Sequence, residues 1–345
     1  MMPKTQHSLP GLDPARLGRW LTEAMPGAGQ DLTARLLAGG RSNLTYEVTD
    51  GVSTWIVRRP PLGHVLATAH DMAREYRVMS ALQDTAVPVP RTYALCSDDG
   101  VLGAPFYVME RVAGTPYRNA AELERLGPER TRVISAGLVD ILATLHEVDP
   151  IAVGLDGFGR PEGFLPRQVR RWKAQLDASY CRDLPAADEL YDRLAAGVPP
   201  QSAPGIVHGD YRLDNVLTDD QDRPAAVIDW EMATLGDPLT DLALLVLYQR
   251  LGTLLGGSAV APDAASAPGF LAESEIVERY AARSDRDLSR FGFYLALAAF
   301  KLAAVAEGIH YRHLRGQTVG SGFEHVGAAV QPVLDTGLSA LKEYR

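Results

Sequence analysis

A chain of 345 residues, 46% hydrophobic and 22% charged, is long enough for more than one compact core and has the composition of a globular protein, not a disordered or fibrous one. Its formal net charge of −9 at pH 7 argues against a dedicated nucleic-acid binder, which offsets phosphates with a basic surface. Its two cysteines, Cys96 and Cys181, stand far apart without metal-like spacing, so neither a disulfide framework nor a zinc site is indicated.

Met1–Pro14 lacks the apolar stretch of a secretory signal, and a cytoplasmic location is expected. Leu12, Leu17, Trp20, Leu21 and Met25 recur at helical spacing and stop at Pro26-Gly27. From Leu36 the pattern becomes strand-like: Leu36–Leu37, a Gly39-Gly40-Arg41-Ser42-Asn43 turn, Leu44–Thr49, an Asp50-Gly51 hairpin turn and Thr54–Arg58 predict three antiparallel strands. After the Pro60-Pro61-Leu62-Gly63 break, residues 68–83 carry Met72, Tyr76, Met79 and Leu82 on one helical face. Prolines hold 87–90 extended, and Tyr93–Cys96 and Phe106–Glu110 read as two more strands around an Asp98-Asp99-Gly100 turn.

Beyond a connector at Arg111–Gly114, helical patterns dominate at 121–148, 165–180, 186–196, 239–254, 273–283 and 288–313, with the remaining strands at 206–230. Gly256–Gly269 has the composition of a mobile loop. Leu242–Tyr248 is cut short by Gln249-Arg250, and Phe293–Ala306 is short and carries Lys301, so both read as core helices and not membrane spans. The plan is an α+β fold: a tail and helix over 1–30, a β-rich lobe over 31–112 and an α-helical lobe over 113–345.

The chemistry concentrates in Ile206-Val207-His208-Gly209-Asp210-Tyr211-Arg212-Leu213-Asp214-Asn215 and, after the next strand, in Ile228-Asp229-Trp230-Glu231. An Asp and an Asn separated by four residues suit opposite sides of one loop, with the Asp accepting a hydroxyl proton and the Asn holding magnesium. Asp229, ending a short strand, offers that ion a second oxygen, since magnesium takes a few carboxylate and amide oxygens plus phosphate oxygens. The bland reading makes Asp210 and Asp229 turn residues at the ends of apolar strands. Upstream, the turn holding Gly40, Ser42 and Asn43 lets backbone N–H groups approach phosphates, although a Gly-Gly hairpin also serves as a plain turn.

The run His208–Asn215 with Ile228–Glu231 resembles the aminoglycoside phosphotransferase and choline kinase superfamily, relatives of the protein kinases, from about Leu36 to the final helices. The resemblance implies a protein-kinase-like fold with a small β-rich N-terminal lobe and a larger helical C-terminal lobe. It implies ATP and Mg2+ as cofactors, Asp210 as catalytic base, Asn215 and Asp229 as metal ligands, and His208 as a brace for the loop. It also implies a cation on the third strand that grips the phosphates, paired with an acid on the following helix. Arg58 and Glu75 fit these roles, with Arg59 the alternative because strand alternation turns only one of the two inward; both arginines being solvated is the remaining reading. Tyr107–Val112 resembles the hinge whose backbone meets adenine, which nominates Glu110 and Val112.

Val57–Pro61, Ala69–Met79, Phe106–Glu110, Gly163–Lys173 and Gly236–Ala243 resemble the subgroup whose kinase domain is also found fused to acyl-CoA dehydrogenases. That resemblance implies a hydroxylated acyl-CoA as phosphate acceptor. Arg167, Arg170, Arg171 and Lys173 read as a cationic patch suited to the phosphates of a CoA thioester, or else as solvated helix residues with Trp172 packed beneath. Asp237 and Asp241 read as cap and anchor of the next helix, and the polar cluster Tyr311, Arg312, His313 and Arg315 has no assigned role. The expected activity is ATP- and Mg2+-dependent transfer to a small-molecule hydroxyl, with no nucleic-acid or membrane partner. An aminoglycoside, sugar or amino-alcohol kinase, a nucleotide-binding pseudokinase and a metal-dependent phosphohydrolase are the competing readings.

Overall fold

The computed structural model describes residues 9–37, 43–62, 71–256, 263–318 and 322–343. The chain divides into two compact units, Met1–Ala113 with Ala226–Glu231, and Gly114–Ala225 with Met232–Arg345.

In the first unit, helix α1 (Pro14–Ala24) starts because the Asp13 carboxylate accepts from the Ala15 and Arg16 N–H groups and Pro14 occupies a position where no N–H is needed. Strands β1 (Thr33–Leu36), β2 (Leu44–Thr49) and β3 (Thr54–Arg59) follow, then α2 (Met72–Leu82), β4 (Thr92–Cys96), α3 (Asp99–Leu102) and β5 (Phe106–Glu110). The five strands form one antiparallel sheet in the order β1-β2-β3-β5-β4. Period-two alternation sorts their side chains. Tyr46, Val48, Trp55, Val57, Phe106 and Val108 join Leu17 and Leu21 of α1 in one core, whereas Arg58 and Tyr107 stand opposite each other in the register and reach α2.

The three predicted leading strands are present, although the first begins at Thr33, ahead of the Leu36 start read from the pattern. The helix predicted over 68–83 is described from Met72, capped by Asp71. A one-turn helix stands where an Asp98-Asp99-Gly100 turn was expected, because the Asp98 side chain accepts from Gly100 N–H and so starts a helical turn.

The second unit holds α4 (Ala120–Glu124), α5 (Pro128–Glu147), α6 (Phe164–Asp177), α7 (Pro185–Ala196), β6 (Gly205–Val207), β7 (Val216–Thr218), β8 (Pro224–Val227), β9 (Thr234–Gly236), α8 (Leu239–Leu255), α9 (Glu273–Ala281), α10 (Phe291–Leu314) and α11 (Val326–Glu343). The chain re-enters the first unit along β8. The single helix predicted over 121–148 is two. Gly127, at φ +87°, takes a left-handed conformation that only glycine adopts freely, and Pro128 begins a new helix without the N–H needed to continue the old one.

Strand β9 lies beyond the 206–230 stretch to which the remaining strands were assigned. It is fixed by pairing with β6, since three residues are too few to show a period. Helix α11 went unpredicted because Pro332 and two interior glycines interrupt its pattern; packing along α10 holds it. By length and composition α10 could cross a membrane, but 83% of its apolar window is buried inside the protein, where α6, α7, α8 and α11 surround it.

Candidate active site

In the first unit, the Arg58 Nε lies 3.0 Å from Glu75 Oε2, and the Tyr107 hydroxyl donates to the same oxygen at 2.9 Å. Asn43 Nδ2 lies within donating distance of Glu75 Oε1, at 3.1 Å, and of Glu231 Oε2, at 3.0 Å. A terminal nitrogen of Arg58 pairs with Asp229 Oδ1 and lies 3.7 Å from Glu231 Oε2. One guanidinium therefore faces three carboxylates. Burial pushes the Glu75 carboxyl up to about 7, opposed by the Arg58 charge and the Tyr107 hydrogen bond. Burial also works against the charge on Arg58, but Tyr107, Glu75, Asp229 and Glu231 outweigh it and raise the guanidinium above its ordinary value.

Asp229 holds φ +67°, a left-handed conformation costing a non-glycine residue about 1–3 kcal/mol, a strain that clusters at functional sites. The turn is anchored by Trp230, 1% exposed, whose indole N–H donates to Val227 O at 3.0 Å.

Arg59 turns the other way and donates to Gly11 O and to Leu102 O, the latter at 2.7 Å. Of the two arginines it is Arg58 that meets the acids. Both are buried, at 9% and 4% exposed, so the solvated reading fails: β3 is an interior strand with helices on both of its faces. Gly40 and Ser42 lie outside the described residues. Glu110 accepts from Arg91 N–H at 3.1 Å, and Val112 is half-buried beyond the strand end; neither joins the Arg58 cluster.

In the second unit, the chain leaves β6 through His208 and Gly209. Gly209 holds φ +86°, and a Cβ there would stand 2.7 Å from Met232 O, so glycine is required. Asp241, in the first turn of α8, accepts from His208 N–H at 2.6 Å and from Gly209 N–H at 2.8 Å. Sequence assigned both Asp237 and Asp241 to α8. Asp237, one residue ahead of the Pro238 cap, does accept from Leu239 N–H at 3.2 Å, but Asp241 clamps the loop. Burial pushes the Asp241 carboxyl up; the His146 hydrogen bond, the His146 and His208 charges and the Gly209 N–H overcome this and hold it below its usual value. The buried His208 ring accepts at Nδ1 from Asp210 N–H at 3.2 Å and meets the Tyr211 ring edge-on.

Asp210 Oδ1 accepts from the Tyr248 hydroxyl at 2.8 Å. Asn215 Nδ2 donates to Asp210 O at 2.9 Å and lies 3.3 Å from Asp210 Oδ2. Arg212 pairs with Asp214 at 2.8 Å, with its guanidinium 5.4 Å from the Tyr248 ring centroid. Lys301 Nζ, from α10, donates to Gly209 O at 2.5 Å. Sequence reasoning gave no site role to Tyr248 and Lys301, whose one signal is that each is a polar-tipped side chain inside an apolar helical run.

The expected cationic patch does not hold together. Arg167 donates to Glu162 O and Arg160 O, and Lys173 pairs with Asp177 at 2.5 Å, one helical turn on. Arg170 and Arg171 remain exposed, Arg171 with its guanidinium 5.0 Å from the Trp172 ring centroid. Near the C-terminus, Arg315 stacks 4.4 Å over Tyr311.

Asp229 and Glu231 in the first unit, and Asn215 in the second, each carry an oxygen of the kind a hard divalent ion takes. Among the described residues no three His, Cys, Asp or Glu close on one another as a metal cage.

The profile of the phosphotransferase enzyme family, APH, matches residues 33–273, a stretch that includes both clusters. The chain belongs to this family. This APH-family chain is 34% identical to acyl-CoA dehydrogenase family member 11 of Rattus norvegicus over 93% of its length, and 35% identical to that of Gallus gallus over 96%. The alignments cover 42% and 44% of those proteins, so the chain spans less than half the length of the curated relatives it matches. Among solved structures, a provisionally named aminoglycoside phosphotransferase of Ralstonia eutropha is 32% identical with a TM-score of 0.83, covering 96% of this chain and 99% of that one. Aminoglycoside phosphotransferase APH(4)-Ia, in a ternary complex with AMP-PNP and hygromycin B, shares the fold at 16% identity and a TM-score of 0.61, covering 94% and 98%. The protein-kinase-like α+β architecture expected from the motifs is therefore that of the APH-family chain.

Proposed function

We propose that the protein transfers the γ-phosphoryl group of ATP to a hydroxyl of a small molecule, with Mg2+ as the metal. The observation that carries this reading is the clamped loop on which Asp210 and Asn215 stand together. Tyr248 engages Oδ1 of Asp210, and Oδ2, which faces Asn215 Nδ2 at 3.3 Å and Arg212 Nε at 3.7 Å, has a second lone pair with which to receive the acceptor's proton as general base. Asn215, tied to the same loop through its Nδ2, has an amide oxygen to offer the metal, and Asp229 offers a carboxylate. Bound Mg2+ supplies charge neutralisation on the phosphates. Arg58, fixed by Glu75, is a planar cation suited to gripping phosphate oxygens; Gly40, Ser42 and Asn43 are assigned to covering the nucleotide, and the Glu110–Val112 backbone to the adenine. The first unit thus serves the nucleotide and the second supplies the base. The AMP-PNP complex of the APH(4)-Ia fold relative supports a nucleotide substrate.

For the acceptor we favour a hydroxyacyl-CoA, supported by the identity to acyl-CoA dehydrogenase family member 11 and by Arg170 and Arg171. An aminoglycoside or sugar is the second reading, favoured by the Ralstonia eutropha structure. The test is ATP turnover against hydroxyacyl-CoAs, sugars and aminoglycosides, with and without EDTA. Asp210→Asn is expected to lower turnover by about 10²- to 10⁴-fold, and unchanged turnover would refute the assigned base. Magnesium-dependent ATP binding with no transfer to any acceptor class would favour a pseudokinase instead.

A further inference from the structure

A cavity in the second unit lies against the backbone of the His208–Asn215 loop. The space between its walls, open solvent at the mouth included, is about 550 Å³. Phe164, Trp172, Leu244 and Leu297 form apolar walls, and Gly209 lines the side of the loop. Two cations border it, Lys301 and Arg171, at 5.6 Å and 5.0 Å from the Trp172 ring centroid.

Neither cation pairs with a carboxylate among the described residues. Lys301 spends one N–H on Gly209 O, while an ammonium has three to give. The acid in the wall, Asp241, already has its two oxygens on the His208 and Gly209 N–H groups. Burial draws the Lys301 pKa down, with Asp210 and Asp241 pulling the other way. Protein interiors rarely keep a cation without a counter-ion. An unpaired ammonium beside an open apolar cavity calls for an anion supplied from outside.

We propose that this cavity binds an amphiphilic anion, its apolar chain between Phe164, Leu244 and Leu297 and its charged end on Lys301, with Arg171 at the rim. The proposal rests on the phosphotransferase reading in one respect: it takes the anion to be part of the phosphate acceptor. It also separates acceptor classes, since a polycationic aminoglycoside meets repulsion here whereas an acyl compound does not.

The experiment titrates the full chain with hexanoate, hexanamide and hexylamine, following calorimetry and tryptophan fluorescence, with Trp172→Phe to identify the reporting ring. Hexanoate is expected to bind, to quench Trp172, and to bind about tenfold or more tighter than hexanamide, the scale of a charge-assisted hydrogen bond. Lys301→Met and Arg171→Met should each remove most of that advantage. Because Lys301 also holds the loop, Arg171→Met keeps the test valid if Lys301→Met fails to fold. Equal binding of hexanoate and hexanamide, or tighter binding of hexylamine, would overturn the anion site. None of these titrations contains ATP, so that failure leaves the phosphotransfer reading untouched. In turnover assays, hexanoate competing with the acceptor and not with ATP supports the acceptor assignment, and failure to compete overturns it.

Discussion

Arg58 meets Glu75, Asp229 and Glu231 with only 11% of its side chain exposed, so its removal strands buried negative charge. Arg58→Met is expected to cost about 3–5 kcal/mol, the usual penalty for breaking a buried pair from one side, as measured by urea unfolding. Glu75 gives a pH signature. Its carboxyl rises from 4.5 to about 7 on folding, so between those values the folded protein holds a proton that the unfolded chain releases. The stability from that proton is complete below pH 4.5 and is lost as pH rises through about 7. Melting temperatures should show this loss in the parent and not in Glu75→Gln, which has no proton to lose there; parallel pH profiles would contradict it. The sequence named both residues but left Arg58 and Arg59 open, because alternation says that they face opposite ways without saying which way is inward.

At the scale of elements, the His208–Asn215 loop is shaped by what packs on it. Gly209→Ala puts a methyl 2.7 Å from Met232 O at φ +86°, and a loss of about 1–3 kcal/mol is expected from the backbone alone, read as a lower melting temperature together with lower turnover. Asp241→Asn replaces a charged acceptor of two N–H groups by a neutral one with a single carbonyl. The expected cost is about 1.5–3 kcal/mol, the worth of a hydrogen bond to a charged group, checked by denaturant titration. Neither effect was legible from spacing: Asp241 sits where a helix anchor would sit, and its turn toward the loop depends on β6 ending beside α8. The α4–α5 break was signalled by Gly127-Pro128 and overlooked, whereas α11 is held by its neighbour in spite of Pro332.

At the scale of the whole molecule, α10 is the spine of the second unit. Phe300 lies at 0% exposure along it, and Phe300→Ala is expected to cost about 3–5 kcal/mol through lost burial and the cavity left behind, a deficit that calorimetric unfolding would reveal. A loss under about 1 kcal/mol would mean that the core collapses around the gap. The sequence alone determined the five strands and the two longer helices of the first unit, the α+β plan, and the phosphotransferase motif, because each is written in residues a few positions apart. Asp210 and Asn215, for instance, share a single loop. Tertiary structure alone decided who meets whom: Arg58 with Asp229 across 171 positions, Tyr248 with Asp210 across 38, Lys301 with Gly209 across 92. Those partners are brought together by the burial of apolar faces elsewhere in each unit, and a polar tip inside an apolar run does not name its partner until that packing is complete.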